Sequence, residues 1–224
     1  MTNESSEKGL RLKDFIEIRD NLLKNIEIKS VLDIGGGSGD FRAALNPLKY
    51  VNVNAPYMDE RQAKNAPGGV KVNPTVTLDL NKVKKLPFKN RSFDMVVASQ
   101  VIEHLPDLKK IANEMKRISK KFILIGLPNE MEWSKRILIL FGKNMRGIGH
   151  RYCFDPDVTR KKFIEPYMRG WKIVGEYHLT KGYTYNVLRL LPFKMRKFLA
   201  NKFPKLCSTE NYYLLERDGA KSGQ

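Results

Sequence analysis

The fold is decided by the stretch Val31-Leu32-Asp33-Ile34-Gly35-Gly36-Gly37-Ser38-Gly39-Asp40, in which a short apolar run breaks into glycines and then opens a helix. The run is too short and too rich in β-branched residues for a helix, so it predicts a buried strand. Glycines allow positive φ angles and a close approach of the backbone to a ligand. The helix that follows directs its free N–H groups at the same point. The stretch therefore predicts a strand, a turn and a helix that bind a nucleotide-like ligand.

The spacing of this turn is Asp33-x-Gly35-x-Gly37-x-Gly39, which differs from the G-x-G-x-x-G fingerprint that seats a dinucleotide pyrophosphate. In this respect the sequence resembles motif I of the class I S-adenosylmethionine-dependent methyltransferases. The resemblance implies a cofactor without phosphate, S-adenosylmethionine, whose methionine and ribose part lies above Asp33, Gly35, Gly37 and Gly39. Taken alone, the turn also fits an ordinary tight connection between a strand and a helix.

The second strand, predicted at residues 50–54, ends in Asn54, where nucleotide-binding α/β folds usually carry an acid that accepts hydrogen bonds from the ribose. The side-chain oxygen of Asn54 can still accept one such bond, but it carries no charge. Asp59 or Glu60 can take over this role if the following loop folds back. Asn54 is therefore the clearest departure from the family pattern, and it bears on cofactor affinity more than on fold.

Three further segments extend the resemblance. Many small-molecule class I methyltransferases have an acid after the third strand, a Leu-Pro-Phe loop and a fourth strand that begins Ser-Phe-Asp; here these are Asp79, residues 86–88 and residues 92–94. The resemblance implies that Asp79 lies near the adenine amino group and Leu80 beside the adenine ring. Residues 100–107 resemble the Glu-His-Leu segment of the ubiquinone and menaquinone biosynthesis methyltransferases.

Apolar runs at the first, fourth and fifth predicted strands suit a parallel sheet covered on both faces. The length fits one α/β domain, residues 10–218, after a disordered lead-in at residues 1–9 and before a tail at 219–224. A helix rich in apolar residues is predicted before the first strand, and Asp107 is predicted to cap a second helix. The resemblance implies a Rossmann-like, doubly wound, seven-stranded and mostly parallel sheet in the order 3-2-1-4-5-7-6.

Methyl transfer from a sulfonium is an in-line displacement, so the enzyme mainly aligns the acceptor with the methyl group, and a base is needed only where the acceptor loses a proton. Open α/β sheets bind ligands outside the carboxyl ends of their strands, so Ser99 and the residues up to His104 should border the cofactor and the reacting centre. His104 and His150 are candidate bases, since histidine titrates near neutral pH; each also suits a structural role. Glu103 is a candidate for orienting a partner or holding an acceptor hydroxyl.

The composition is unusually basic: 41 Lys and Arg against 24 Asp and Glu give a formal net charge of +17. Such an excess favours polyanions or anionic membrane surfaces, although lysine on solvated faces explains it equally well. Two basic amphipathic insertions, at residues 131–152 and 179–208, contain cations between apolar residues, and the second predicts a helix after Pro192 in which Met195, Phe198, Leu199 and Lys202 share a face. This pattern is typical of a membrane-surface helix, and equally of a helix packed over the substrate cleft.

The two cysteines, Cys153 and Cys207, are far apart and lack metal-ligand spacing, so we expect neither a disulfide framework nor a metal site. No apolar run is long enough to cross a bilayer and the first residues are polar, which predicts a cytoplasmic protein, free or peripheral at a membrane.

The sequence thus predicts a methyltransferase that acts on a small or lipid-linked acceptor, at oxygen, with nucleic acid less favoured as a partner. Nucleic-acid subfamilies with an (Asn/Asp)-Pro-Pro-(Tyr/Phe) segment or a nucleophilic cysteine near the fourth or fifth strand are disfavoured, because residues 99–102 read Ser-Gln-Val-Ile and residues 127–129 read Leu-Pro-Asn. Two alternatives stay open, an RNA methyltransferase and a binding protein of this fold without catalysis.

Overall fold

The computed structural model describes residues 3–37, 39–54, 76–142, 150–180 and 191–219, without the side chains of residues 3–11 and 193. Seven strands form one sheet in the order β3-β2-β1-β4-β5-β7-β6, which confirms the predicted order. The strands are β1 (Ser30–Ile34), β2 (Lys49–Asn54), β3 (Val76–Thr77), β4 (Phe93–Ser99), β5 (Ser119–Pro128), β6 (Trp171–Leu179) and β7 (Glu210–Arg217). Residues 70–75, in which apolar and polar residues loosely alternate ahead of β3, lie outside the described part of the chain.

Strands β1 to β5 are parallel to one another, and β7 runs antiparallel to both of its neighbours, β5 and β6. All five residues of β1 are buried, and most of β4 and β5 is buried. This burial matches their continuous apolar sequences, because helices cover both faces of a parallel sheet. The carboxyl ends of β1, β2, β4 and β5 consequently meet at one edge.

The helices are α1 (Asn3–Leu22), α2 (Asp40–Leu45), α3 (Leu108–Ile118), α4 (Trp133–Leu140), α5 (Pro156–Val158), α6 (Glu165–Tyr167), α7 (Phe193–Lys202) and α8 (Pro204–Cys207). A 3₁₀ turn (Ile102–His104) precedes α3, and a π-helical turn (Thr159–Ile164) joins α5 to α6. None of the described helices has the length and apolarity that crossing a bilayer requires.

Helix α1 differs from the sequence prediction at its start. It begins at Asn3, so residues 3–9, which we expected to be disordered, are helical. Once a helix is nucleated, each further residue adds a hydrogen bond at little extra cost, so the packed part from Phe15 to Leu22 can propagate backwards. The predicted tail begins at residue 219, and its residues 220–224 lie outside the described part.

The cap of α3 is as predicted. The Asp107 carboxylate accepts from the Lys110 N–H at 2.9 Å. The apolar face that the sequence predicted for this helix is buried: Leu108, Ile111, Met115 and Ile118.

The two ends of each amphipathic insertion, here called its base, are joined by a backbone hydrogen bond. The Glu130 N–H donates to the Phe154 carbonyl at 2.8 Å, and the Thr209 N–H donates to the Leu179 carbonyl at 2.8 Å. The Asn129 N–H donates to the Thr209 carbonyl at 2.8 Å and so joins the two bases. The two ends of each insertion therefore lie side by side.

The Leu-Pro-Phe loop is held to α3 by a half-buried ion pair. Glu114 accepts from the Leu86 N–H at 2.7 Å and pairs with Arg117 at 2.7 Å, while Arg117 also donates to the carbonyls of Leu86 and Phe88. Burial by itself raises the pKa of Glu114, but the hydrogen bonds from Arg117 and Leu86 and the charge of Arg117 bring that pKa below its ordinary value.

We expect Arg117→Ala to lower the free energy of unfolding by about 3 kcal/mol, because it leaves a charged, largely buried carboxylate and two carbonyls without their donor. Urea denaturation measures the change, and Lys109→Ala, on the exposed face of the same helix, should shift it by no more than about 0.5 kcal/mol. Equal effects of the two substitutions would contradict the role given to Arg117.

Candidate active site

The glycine turn lies directly after β1 and requires glycine for steric reasons. A Cβ on Gly36 would lie 2.4 Å from the carboxyl group of Asp33, and a Cβ on Gly35, where φ is +72°, would lie 2.6 Å from the Val101 side chain. Neither contact leaves room for a side chain, and the positive φ of Gly35 disfavours other residues as well. The turn therefore packs against both β1 and the segment after β4.

One polar face of β2 braces this turn. Tyr50, Asn52 and Asn54 alternate along the strand and so point to the same side. Asn54 accepts from the Gly37 N–H at 3.1 Å and donates to the Gly37 carbonyl at 3.1 Å, and Asn52 donates to the same carbonyl at 3.1 Å. The amide of Asn54 thus supports the turn directly, and a contact between Asn54 and the ribose stays a prediction. Asp59 and Glu60 lie outside the described residues.

Asp33 is fully buried beneath the turn. The Tyr50 hydroxyl donates a hydrogen bond to Oδ2 of this carboxylate. Burial raises the pKa of Asp33 to about 7, the hydrogen bond from Tyr50 lowers it, and the nearby charge of Asp40 raises it further. Near neutral pH the site therefore contains a carboxyl group that is only partly ionised.

An open cavity of about 290 Å³ lies beside the turn, at the carboxyl ends of β1 and β4. Its lining consists of two carboxylates, two aromatic rings, two glycines of the turn, the last residue of β4 and the residue after it: Asp33, Asp40, Phe15, Phe41, Gly35, Gly36, Ser99 and Gln100. Within the described residues, Asp33 Oδ1 and Gln100 Nε2 are buried and have no hydrogen-bond partner. An acceptor and a donor in one cavity fit the ammonium and carboxylate of a bound amino-acid group. The residues present therefore fit the methionine part of S-adenosylmethionine.

Of the predicted cofactor residues, Asp33, Gly35 and Ser99 line this cavity, while Gly37 and Gly39 complete the turn beside it. Asp79 and Leu80 do not line it. The Asp79 carboxylate accepts from the Asn81 N–H at 3.0 Å, and Leu80 borders a separate apolar depression of about 330 Å³ with Val83 and Leu86 among its lining. Their contacts with an adenine ring stay predictions.

The three predicted catalytic residues lie together. Glu103 is fully buried, and the rings of His104 and His150 meet edge to face with their centroids 4.7 Å apart. The Arg151 N–H donates to the Glu103 carbonyl at 2.7 Å, which fixes the loop that carries His150 against the 3₁₀ turn. Residues 143–149, which precede His150, lie outside the described part of the chain.

Sequence reasoning missed Glu130, the buried acid that holds His150. Its Oε1 lies 2.6 Å from His150 Nδ1, and its Oε2 accepts from Lys135 Nζ at 2.9 Å. The only signal in the sequence was an acid shortly after a strand that ends at the ligand-binding edge. Tyr50 and Asn52 were missed as well, although the alternation of polar residues in β2 pointed to them; Gln100 falls in the range from Ser99 to His104 that was expected to border the cofactor.

Residues 32–122 match the family described as "Methyltransferase domain". A protein of Mycobacterium sp. strain KMS, named an uncharacterized methyltransferase, is 36% identical over 98 residues, which are 41% of this chain and 35% of that protein. Norajmaline N-methyltransferase of Rauvolfia serpentina is 29% identical over 94 residues, 41% of this chain and 32% of that enzyme. The chain thus spans about a third of the length of these relatives.

Solved structures share the fold over nearly the whole chain. A S-adenosylmethionine-dependent methyltransferase of Archaeoglobus fulgidus has a TM-score of 0.58 at 18% identity, covering 95% of this chain and 97% of its own. Magnesium protoporphyrin IX methyltransferase of Synechocystis, solved with bound S-adenosylhomocysteine, has a TM-score of 0.53 at 12% identity, covering 96% and 84%. Residues 32–122 therefore match a methyltransferase domain, and the chain shares its fold with solved S-adenosylmethionine-dependent methyltransferases.

Proposed function

We propose that the protein transfers a methyl group from S-adenosylmethionine to a hydroxyl oxygen of a small or lipid-linked acceptor. The proposal rests on two groups of residues that lie at the same edge of the sheet. One is the buried, partnerless Oδ1 of Asp33 in the cavity beside the glycine turn. The other is the cluster of Glu103, His104 and His150, which begins three residues after Gln100 of the cavity lining.

The cofactor supplies an electrophilic methyl group on a sulfonium. In the proposed step the acceptor oxygen forms a bond to the methyl carbon while the carbon–sulfur bond breaks and its electron pair stays on sulfur. The hydroxyl proton leaves toward the Glu103, His104 and His150 cluster. Alignment and exclusion of water contribute most of the rate in such a displacement, and proton removal adds to it.

Two exposed apolar segments support a lipid-linked acceptor at an anionic membrane surface. From Ile137 to Phe141 every side chain is exposed, with Leu140 at 84% and Phe141 at 76%. Helices α7 and α8 expose Met195, Phe198, Phe203 and Leu206. Exposed apolar segments as large as these are unusual on a soluble monomer. The surrounding sequence is basic: residues 133–151 and 179–208 contain Lys and Arg but no Asp or Glu.

The two insertions start at neighbouring points of the structure. Asn129 Nδ2, just before α4, donates to the carbonyls of Pro204 at 3.1 Å and Ser208 at 3.0 Å, which tie α8 to the start of the first insertion. A membrane that contacts both segments would lie near the Glu103, His104 and His150 cluster, since the first insertion ends at His150 and the residues beside it.

The raised pKa of Asp33 gives a test of cofactor binding. An acid whose pKa is raised on folding stabilises the fold most at low pH, and here that contribution is lost as the pH rises from the ordinary value of 3.8 to about 7. A bound ammonium group favours the ionised carboxylate, so we expect S-adenosylhomocysteine to bind with release of about half a proton at pH 7. Calorimetry in two buffers of different ionisation enthalpy measures this release.

Asp33→Asn should abolish the proton release and weaken binding by roughly tenfold or more, because a charge-assisted hydrogen bond is lost. The exposed Asp218→Asn serves as the control and should behave as wild type. If no S-adenosylhomocysteine binds even at millimolar ligand, the chain is a binding protein of this fold without methyl transfer.

For the reaction itself, we expect His150→Asn to reduce methyl transfer about a hundredfold while leaving S-adenosylhomocysteine affinity within about twofold of wild type. The assay follows labelled methyl from S-adenosylmethionine into lipid extract, polar metabolites and RNA, with mass spectrometry to tell O-methyl from N-methyl products. Lys109→Ala is the matched control. Label that enters RNA alone, or nitrogen alone, would refute the proposed acceptor.

We expect the protein to float with phosphatidylglycerol-containing vesicles. Leu140→Glu should lower its affinity for the vesicles about tenfold, because the loss of one large apolar side chain that the membrane would bury costs about 1.5–3 kcal/mol. Leu48→Glu is the control, because Leu48 is 88% exposed beside the amino end of β2, at the opposite sheet edge. Wild-type protein that stays in the soluble fraction at low salt would disprove membrane association.

A further inference from the structure

The Glu103, His104 and His150 cluster has the composition of a metal site. One ligand atom from each residue lies within 4.8 Å of the other two. Two imidazoles and one carboxylate form the ligand set of many divalent transition-metal sites that keep open positions for substrate. The sequence did not predict a metal site, because its two histidines lie in segments 46 residues apart in the chain.

The spacing needs only a small adjustment to accept an ion. Ligand atoms bonded at about 2.0–2.2 Å to one ion lie about 3.0–3.5 Å from one another. The three ligand atoms, which lie within 4.8 Å of one another, therefore move roughly 1–2 Å closer together when they bind one ion. The backbone on both sides is fixed, since the Arg151 N–H donates to the Glu103 carbonyl.

Glu130 prepares His150 for this role. Its Oε1 lies 2.6 Å from His150 Nδ1, and Glu130 is 1% exposed, so the contact is held in a buried place. A histidine whose Nδ1–H donates to a carboxylate presents the lone pair of Nε2 on its other side. Histidines that bind metals in proteins commonly donate their second ring N–H to a carboxylate in this way, which fixes the ring and its tautomer.

We propose that Glu103, His104 and His150 bind one divalent transition-metal ion, which holds the acceptor hydroxyl for methyl transfer. The inference rests on the proposed function for the role of the ion, but not for its binding. An acceptor hydroxyl bound to a divalent cation loses its proton to solvent water far more readily than a free hydroxyl, so the ion would take the place of direct proton removal by the three side chains. Imidazole ligands favour Zn²⁺, Co²⁺ or Fe²⁺ over Mg²⁺.

The test uses the full-length chain without an affinity tag, freed of metal by a chelator and then titrated with Co²⁺. We expect one Co²⁺ per chain, visible d–d absorption bands, displacement by Zn²⁺ and no competition from Mg²⁺. His104→Ala and His150→Ala should each abolish the bands. Glu130→Gln should weaken Co²⁺ binding roughly ten- to a hundredfold, and thermal melts confirm that each variant is folded.

The chain has three histidines, so His178→Ala is a matched control. His178 lies in β6, with Nδ1 2.8 Å from Asn211 Oδ1, and its loss should leave Co²⁺ binding unchanged. Absence of stoichiometric Co²⁺ binding, or binding that survives both His104→Ala and His150→Ala, would overturn the metal site.

Activity separates this inference from the proposed function. Full methyl transfer by metal-free protein in the presence of chelator would overturn the role given to the ion and leave the proposed function standing. Stoichiometric Co²⁺ binding without methyl transfer to any acceptor would leave the metal site standing and reject the proposed function.

Discussion

The contact between Gly36 and the buried carboxyl group of Asp33 is the constraint on which the site depends. No side chain fits between them, so the turn lies directly on the end of β1, where the cavity opens. The contact also keeps Asp33 away from water, which is the main cause of its raised pKa. A single steric requirement thus sets both the shape of the cavity beside the turn and the protonation of the acid that lines it.

The polar face of β2 makes this arrangement rigid. Asn52 and Asn54 occupy both backbone groups of Gly37, and Tyr50 occupies one oxygen of Asp33. The other oxygen, Oδ1, is thereby left for the cavity. Asn54, the last residue of β2, stabilises the turn by hydrogen bonds. An acid is common at this position, but an amide suits the role because it can both donate to and accept from one peptide unit.

Local signals made much of this fold predictable. The apolar run of β1, the glycines after it and the Asp107 cap each depend on neighbours within a few residues, and the family resemblance supplied the sheet order. The pairing of Glu130 with His150 depends instead on how the chain returns after β5, and no short-range pattern records that path. The same holds for the meeting of Glu103 with His150, and for the helical residues 3–9, whose order follows from the packing of α1 farther along the chain.

The backbone hydrogen bonds at the bases of the two insertions have a consequence for how such a protein can change. Because the two ends of each insertion are joined by a backbone hydrogen bond, its length and composition can vary with only a slowly growing entropic cost and without shifting strand register. We therefore expect that the segment between Glu130 and Phe154, and the segment between Leu179 and Thr209, can each be replaced by a segment of different length or sequence. Such segments can be grafted between relatives without rebuilding the sheet that holds the glycine turn.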